Sequence, residues 1–316
     1  MKRAALALVV AASSARADQA NPGFFHRLAH EAQRQVDAQL AARPPVLVPP
    51  RPVAVKWRPI KVASLDLGAP LVALTAGDLD GDGRAELYAV TTRDVIAIGW
   101  HGRRLDELAR VAFAGDRALP SPRDPVGTAV IDSGALVATT SSFQHALRVS
   151  WQGRALVAAQ GEADFELCTG EHGKLAPGRN YFENNTYGVR CRDMVDATGA
   201  PLHVRGELAL TGKLAVDAGA VHVEIPDVGT AFELADLDRD GTPEVIYAGA
   251  GAPGDPDVVK IVSLGGDLHK PRWKKPFAAG GVAGIAVGDL DGDKVAETVA
   301  AVRLIGATRV DLWRLE

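Results

Sequence analysis

The sequence predicts an all-β protein: a β-propeller, with about five blades counted and up to seven possible, preceded by a short N-terminal amphipathic helix. From Val53 onward, short alternating or β-branched runs are separated by Gly, Asp and Pro, which is typical of strands and turns. One aspartate-rich segment also occurs three times, at positions that fit a period of about 50 residues. A unit of that size with several strands and no helix cannot close a core alone, so neighbouring units are expected to stack as blades.

The first 17 residues have the three parts of an export signal. Lys2 and Arg3 follow the initiator methionine and are basic. Residues 4–12 are apolar, and residues 15–17 form a small-residue cleavage pattern. We therefore expect residues 1–17 to be a signal peptide and the product to be periplasmic or extracellular, with an uncleaved tail as the alternative. No later apolar run approaches the ~20 residues of a membrane helix, so no transmembrane segment is predicted in the mature chain.

Residues 18–43 are predicted to form the amphipathic helix. Asn21 and Pro22 supply a helix start, and apolar residues then recur three and four positions apart. Such a helix could bind a partner, pair with itself or lie on its own domain. The proline-rich segment 44–52 cannot be helical and is predicted to be an extended linker, with the propeller over 53–316.

The aspartate-rich segments begin at Asp78, Asp236 and Asp289. The first interval is about three times the second, so two further copies without the full carboxylate set are predicted near Ile131 and Asn184. An independent pattern of a strand followed by a glycine turn recurs at the same period. The early strand within 53–64 is expected to complete the last blade and close the ring. An open β-array or two sandwiches is the alternative.

Each segment places carboxylates at positions 1, 3, 5 and 9 and a main-chain carbonyl at position 7. Hard oxygen ligands in this number suit calcium rather than zinc or copper, and empty carboxylates so crowded would repel one another. We therefore predict about three structural Ca²⁺ ions. The predicted ligands are Asp78, Asp80, Asp82, the carbonyl of Arg84 and Glu86 in the first loop; Asp236, Asp238, Asp240, the carbonyl of Thr242 and Glu244 in the second; and Asp289, Asp291, Asp293, the carbonyl of Val295 and Glu297 in the third.

An EF-hand begins with the same spacing but needs a glutamate at position 12 and flanking helices. Position 12 is Ala89, Tyr247 or Ala300 here, and the residues that follow each loop favour strands. The Asp-x-Asp-x-Asp-Gly-x-x-Glu pattern instead resembles the FG-GAP or VCBS repeat of integrin-α-like propellers. This resemblance implies that calcium clamps the first inter-strand loop of a blade, in proteins that mostly adhere to or recognise other molecules.

Two departures from the common pattern carry predictions. Lys294 replaces the glycine expected at position 6 of the third loop, so this loop is predicted to bind calcium most weakly. In an oxidising compartment, Cys168 and Cys191 are predicted to form a disulfide that could replace the metal clamp in the third blade. Two buried thiols are the alternative.

The sequence favours a binding protein over an enzyme. It has no serine-nucleophile elbow, phosphate loop or dinucleotide pattern, and we assign no catalytic residue and no organic cofactor. The net charge of −4 and the 5% aromatic content argue against nucleic acid as a partner. We predict an exported calcium-binding scaffold for adhesion or envelope assembly, with an unidentified protein or glycan ligand. A polysaccharide-acting enzyme, or a rigid spacer that presents the N-terminal helix, is the alternative.

Overall fold

The computed structural model describes residues 29–35, 47–101, 104–113, 125–132, 134–143, 145–160, 164–168, 171–174, 188–251, 255–304 and 307–315. The chain divides after Leu47 into two compact units. In the first unit, residues 29–35 form an exposed helix within the span predicted to be helical. The predicted signal peptide and the rest of the predicted helix lie outside the described residues. Among the described residues, no helix is both long and apolar enough to span a membrane.

The second unit is a five-blade β-propeller, as predicted, and its blades are antiparallel sheets of four strands. The chain enters through β1 (Pro59–Asp66). The first blade contains β2 (Leu71–Gly77), β3 (Glu86–Thr91), β4 (Asp94–His101) and β5 (Arg104–Ala112). The second contains β6 (Gly127–Asp132), β7 (Ala135–Thr140), β8 (Leu147–Gln152) and β9 (Ala155–Gln160).

A two-stranded sheet of β10 (Asp164–Cys168) and β11 (Glu171–Lys174) precedes the third blade. The third blade contains β12 (Val189–Val195), β13 (Pro201–Leu208), β14 (Leu214–Ala218) and β15 (Val221–Ile225). The fourth contains β16 (Val228–Ala235), β17 (Glu244–Gly249), β18 (Asp257–Ser263) and β19 (Trp273–Phe277). The fifth contains β20 (Gly281–Gly288), β21 (Glu297–Arg303) and β22 (Arg309–Leu315), together with β1.

The two ends of the propeller are joined in the fifth blade, which confirms the predicted closure. Strand β1 pairs antiparallel with β22, with Ala63 opposite Leu312. Beside this pairing, Lys61 Nζ lies 2.8 Å from Asp311 Oδ2. The earliest strand of the propeller is thus hydrogen-bonded to the latest, and opening the ring requires this pairing to break.

The hydrophobic core lies between adjacent blades, because the second strand of a blade has apolar side chains on both faces. In β3, Leu87 and Ala89 pack into a cluster shared with the fifth blade, whereas Tyr88 and Val90 pack into a cluster shared with the second. Successive strand residues point to opposite faces, so burial of both faces requires a continuous apolar run. Two further clusters join the fourth blade to the third and to the fifth in the same way.

The predicted copy near Ile131 exists, but its metal loop is replaced by a tight turn. Strand β6 passes into β7 with Asp132 paired to Ala135, and Gly134 has a φ of 74°. The predicted copy near Asn184 lies outside the described residues. Cys168 ends β10, whose backbone lies close to β12, the strand that carries Cys191. The side chain of Cys168 is outside the described part of the chain, so the disulfide stays a prediction.

Candidate metal centres

The three aspartate-rich loops occupy equivalent places in the first, fourth and fifth blades. Each joins the first strand of its blade to the second: β2 to β3, β16 to β17, and β20 to β21. The glutamate at position 9 begins the second strand and pairs with the residue before position 1. These pairs are Gly77 with Glu86, Ala235 with Glu244, and Gly288 with Glu297. The strand register therefore brings position 9 back beside position 1.

The side chain of the first aspartate in each loop accepts hydrogen bonds from main-chain N–H groups of the same loop. In the first loop, Asp78 accepts hydrogen bonds from the N–H groups of Gly81 at 2.7 Å and Gly83 at 2.9 Å. In the third, Asp289 accepts from Gly292 and Lys294, both at 2.8 Å. Short polar side chains that bind nearby main-chain donors in this way stabilise tight turns. Hydrogen bonds within the protein thus hold these carboxylates in place at the loop.

In the second loop, the first aspartate accepts from the residues at positions 5 and 6. Asp236 accepts from Asp240 N at 3.1 Å and from Gly241 N at 2.9 Å. The aspartate at position 5 then accepts from the N–H of position 7 in all three loops. These distances are 2.8 Å for Asp82 with Arg84, 2.7 Å for Asp240 with Thr242, and 2.7 Å for Asp293 with Val295. The three loops therefore share one backbone conformation at these positions.

The glutamates at position 9 are buried beneath the loops. Glu86, Glu244 and Glu297 are 4%, 0% and 7% exposed. One oxygen of each accepts the N–H of the leucine at position 2, at 3.3 Å, 2.9 Å and 2.7 Å respectively. Burial raises the pKa of all three, to about 8 for Glu244 and about 7 for Glu297, and the neighbouring aspartates add to the rise.

The loops bring carboxylate oxygens together closely enough to share a cation. Within each group, one oxygen from every member lies within 4.8 Å of the others. The groups are Asp78, Asp80, Asp82 and Glu86 in the first loop; Asp236, Asp238 and Glu244 in the second; and Asp289, Asp291 and Glu297 in the third. Asp240 and Asp293, which were predicted as ligands, stand outside these groups. The position-7 carbonyls of Arg84, Thr242 and Val295 stay predicted ligands.

The donor set fits a hard cation. Every converging atom is a carboxylate oxygen, the ligand type preferred by calcium, magnesium and manganese. In the second loop, Oδ1 of Asp238 is also buried and accepts no hydrogen bond from the described residues. A buried acceptor without a donor costs free energy, and a cation would remove that cost. Three acidic groups could therefore hold a metal ion, and their chemistry alone does not identify which one.

Two arginines that the sequence did not indicate form ion pairs with these carboxylates. Arg272 Nη1 is 2.7 Å from Glu244 Oε1, and Nη2 is 2.6 Å from Asp238 Oδ2. Arg314 Nη1 is 3.0 Å from Asp291 Oδ2 and 3.4 Å from Glu297 Oε1. Each guanidinium therefore bridges positions 3 and 9 of its loop. Both arginines are distant from their loops in sequence, so no local signal could have revealed them.

The first loop has a neutral donor instead of a guanidinium. Tyr88 Oη donates to Glu86 Oε2 at 2.7 Å and accepts from Trp151 Nε1 at 2.8 Å. Burial raises the pKa of Tyr88, so its hydroxyl keeps its proton. The ion pairs described for the acidic loops involve the second and third loops, and among the described residues the first loop has none. The hydrogen-bond donors to its four carboxylates among the described residues are main-chain N–H groups and this hydroxyl.

Positions 4 and 6 of all three loops have left-handed backbone. In the first loop both are glycines, Gly81 at a φ of 79° and Gly83 at 89°. In the third loop, Lys294 has a φ of 70°, so this residue does occupy a position that favours glycine. The second loop has the same feature at position 4, where Arg239 has a φ of 53°. The backbone cost ascribed to Lys294 alone is therefore shared by two loops.

A cavity of about 440 Å³ is lined by the first strands β2, β6, β16 and β20. Its charged lining residues are Asp257, Arg190 and Arg303. Asp257 Oδ1 accepts from Gly249 N at 2.9 Å, and Oδ2 accepts from Val282 N at 3.1 Å, which links the fourth blade to the fifth. Among the described lining residues there is no pair of carboxylates such as acid-base hydrolysis of a glycoside uses.

No protein-family model matches this chain, and no curated protein is significantly similar to it. Among solved structures, the tail fibre of Staphylococcus aureus phage P68 is similar over 82% of this chain and 53% of its own, with 9% identity and a TM-score of 0.41. AofleA from Arthrobotrys oligospora is similar over 79% of this chain and 84% of its own, with 11% identity and a TM-score of 0.43. The chain thus spans about half of the phage protein, and likenesses at this level carry no argument about function.

Proposed function

We propose that this protein is an exported β-propeller scaffold that binds calcium for structural reasons and uses its surface for adhesion or envelope assembly. The observation that carries the proposal is the convergence of carboxylate oxygens in three equivalent loops. The resemblance of these loops to FG-GAP or VCBS repeats supports calcium as the ion. The N-terminal signal pattern supports export to a compartment where calcium is available.

The loops occupy positions from which bound ions would stabilise contacts beyond their own turns. Ala85 N, in the first loop, donates to the carbonyl of Asp289, in the third, at 2.7 Å. Val53 N donates to the carbonyl of Asp238, in the second loop, at 2.7 Å. Calcium would supply positive charge and oxygen coordination at the acidic groups. Metal-bound carboxylates would stabilise the turns. The turns would then keep their main-chain hydrogen bonds to the neighbouring blade or to the segment before β1.

Thermal unfolding of the mature protein with calcium and with a chelator tests the metal. We expect calcium to raise the melting temperature, because a ligand that binds only the folded state stabilises it by mass action. The Asp78→Asn, Asp236→Asn, Asp289→Asn triple variant is expected to lose most of the rise. Magnesium in place of calcium is the selectivity control. A melting temperature that ignores calcium and chelator alike would contradict the metal role.

Export and the disulfide are parts of the same proposal and have separate tests. Expression with the native N-terminus, followed by N-terminal sequencing of the exported product, is expected to give a chain that begins at Asp18. A thiol count on that product after unfolding without reductant is expected to find no free thiol from Cys168 and Cys191. Detection of both thiols in an exported, unreduced sample would remove the disulfide from the proposal.

We propose recognition of a protein or glycan rather than catalysis. The resemblance of the loops to FG-GAP or VCBS repeats supports this, because proteins with those repeats mostly adhere to or recognise other molecules. Pull-down and glycan-array binding with calcium and with chelator test the proposal. Specific binding that needs intact loops is the expected result. Hydrolysis of a polysaccharide by the purified protein would favour the enzymatic alternative.

A further inference from the structure

The charge balance of the three acidic loops differs, and the difference comes from two arginines. We infer that Arg272 and Arg314 act as resident cations in the second and third loops, so that the first loop is the high-affinity metal site. In the other two loops, a metal ion must displace a guanidinium from the carboxylates or share them with it. This inference rests on the metal binding proposed above and assigns an order to the sites.

Each arginine contacts the carboxylates that a metal would use. Arg272 reaches the Asp238 and Glu244 oxygens at 2.6 Å and 2.7 Å, and all three residues belong to the fourth blade. Arg314 reaches the Asp291 and Glu297 oxygens at 3.0 Å and 3.4 Å. Charge-assisted bonds of this kind are among the strongest hydrogen bonds in proteins. The oxygens at positions 3 and 9 are therefore already engaged.

Each guanidinium also lies over a tryptophan ring. The Arg272 Cζ lies 5.8 Å from the ring centroid of Trp57, and the Arg314 Cζ lies 5.2 Å from that of Trp100. A cation over an indole face is attracted by the ring quadrupole. The side chain of Arg314 is also only 13% exposed. Both cations thus contact an aromatic ring as well as two carboxylates.

The two arginines reach equivalent atoms from different strands. Arg272 directly precedes β19, the fourth strand of its blade, whereas Arg314 lies in β22, the third strand of its blade counted from β20. Since the sequence positions are not equivalent, repetition of a common blade template does not account for the shared contact. The common element is the chemistry: one guanidinium bridges positions 3 and 9.

The first blade shows what replaces the arginine. In the fifth blade, Val299 of β21 pairs with Arg314 of β22. At the corresponding pair of the first blade, Tyr88 of β3 is opposite Ala97 of β4. The larger side chain of the pair is therefore on the second strand in the first blade and on the third strand in the fifth. Tyr88 supplies a hydroxyl and no charge to Glu86. All four carboxylates converge in this loop, whereas three converge in each of the others.

The resulting order differs from the one that Lys294 alone predicts. Arg239 gives the second loop a left-handed non-glycine residue as well. Arg272 also makes two bonds shorter than those of Arg314. The second loop is therefore at least as hindered as the third, and the first loop is expected to fill before both.

Calcium titration of the full mature protein by isothermal calorimetry tests the order. The wild type is expected to show one tight site and two weaker ones, and Asp80→Asn is expected to abolish the tight site. Arg272→Gln and Arg314→Gln should each tighten one weak site by about tenfold or more, since each substitution removes a guanidinium that competes for two carboxylates. Arg104→Gln is the matched control, since Arg104 pairs with Asp106 at 2.7 Å and with no loop carboxylate.

A second measurement leaves the arginines in place and so does not depend on whether their variants fold. Terbium is a luminescent substitute for calcium that nearby tryptophans excite, so its emission reports metal bound in the loops. At low terbium, emission is expected to disappear in Asp80→Asn of the first loop and to persist in Asp238→Asn of the second and Asp291→Asn of the third.

The outcomes separate the two proposals. Three equal calcium sites that the arginine substitutions leave unchanged, or early terbium emission that needs Asp238 or Asp291, would overturn the inference while calcium binding stands. Absence of calcium and terbium binding in every folded variant would overturn the metal role itself.

Discussion

The hydroxyl of Tyr88 lies 2.7 Å from Oε2 of Glu86, and this single neutral contact distinguishes the first acidic loop from the other two. Glu86 is 4% exposed, so its solvation depends on protein donors: this hydroxyl and the Leu79 N–H. Trp151 fixes the hydroxyl from the neighbouring blade. The donor at the first metal centre is therefore positioned by a contact between blades.

Removal of this hydroxyl tests its contribution. We expect Tyr88→Phe to destabilise the chelator-treated protein by about 1–3 kcal/mol, because the substitution leaves a buried acceptor and the Trp151 N–H without a partner. The measurement is urea unfolding with chelator and with calcium. Tyr247→Phe, at a buried tyrosine in the second strand of the fourth blade, is the control. Equal stability of Tyr88→Phe and wild type would show that the hydroxyl contributes nothing to Glu86.

The buried glutamates predict an unusual pH dependence for the metal-free protein. Burial raises the pKa of Glu244 from 4.5 to about 8 and that of Glu297 from 4.5 to about 7. Both groups thus bind their proton more tightly in the folded state than in the unfolded state. Between the ordinary and the raised pKa, stability falls as pH rises, by up to about 1.4 kcal/mol per pH unit for each group.

Urea unfolding in chelator at about pH 6 and about pH 9 measures this dependence. The metal-free protein is expected to be less stable at the higher pH. With calcium the loss should largely disappear, since an ionised carboxylate is the form that binds metal. Glu244→Gln is expected to remove most of the decrease that Glu244 causes. Metal-free stability that rises over the same interval would contradict the raised pKa values.

The part of each site that is local in sequence could be predicted, and the part that is distant could not. The loop ligands from Asp78 to Glu86 lie within nine residues, so their spacing is visible in the chain. The strand register then places Glu86 opposite Gly77, as an antiparallel hairpin requires. Arg272 and Arg314 reach their loops only through the pairing and packing of whole strands, and an isolated arginine carries no pattern.

The same distinction applies to the fold. The common period predicted five blades and the closing role of the first strand, because both depend on repetition. The two-stranded β10–β11 sheet has no counterpart among the described residues of the other copies, so the period did not indicate it. The tight turn near Ile131 also shows that a blade can form its strands without an acidic loop.

Ring closure predicts a large effect at Leu312. This residue is 1% exposed, pairs with Ala63 of β1, and packs in the cluster between the fifth and first blades. We expect Leu312→Ala to cost about 2–5 kcal/mol of unfolding free energy, through lost burial and a residual cavity. Leu304→Ala is the control because Leu304 is 56% exposed, and its expected effect is within about 0.5 kcal/mol. Similar values for the two variants would contradict this packing.

The left-handed residues of the second and third loops predict two stabilising substitutions. Lys294 has a φ of 70° and Arg239 a φ of 53°, where a side chain with a Cβ is strained. Glycine and alanine both remove the charge, but only glycine removes the strain. In chelator, Lys294→Gly is therefore expected to be more stable than Lys294→Ala by up to about 1 kcal/mol, since the greater freedom of unfolded glycine offsets part of the relief. The Arg239 pair should show the same difference in urea unfolding, whereas an alanine variant as stable as its glycine counterpart would mean that the position does not demand left-handed backbone.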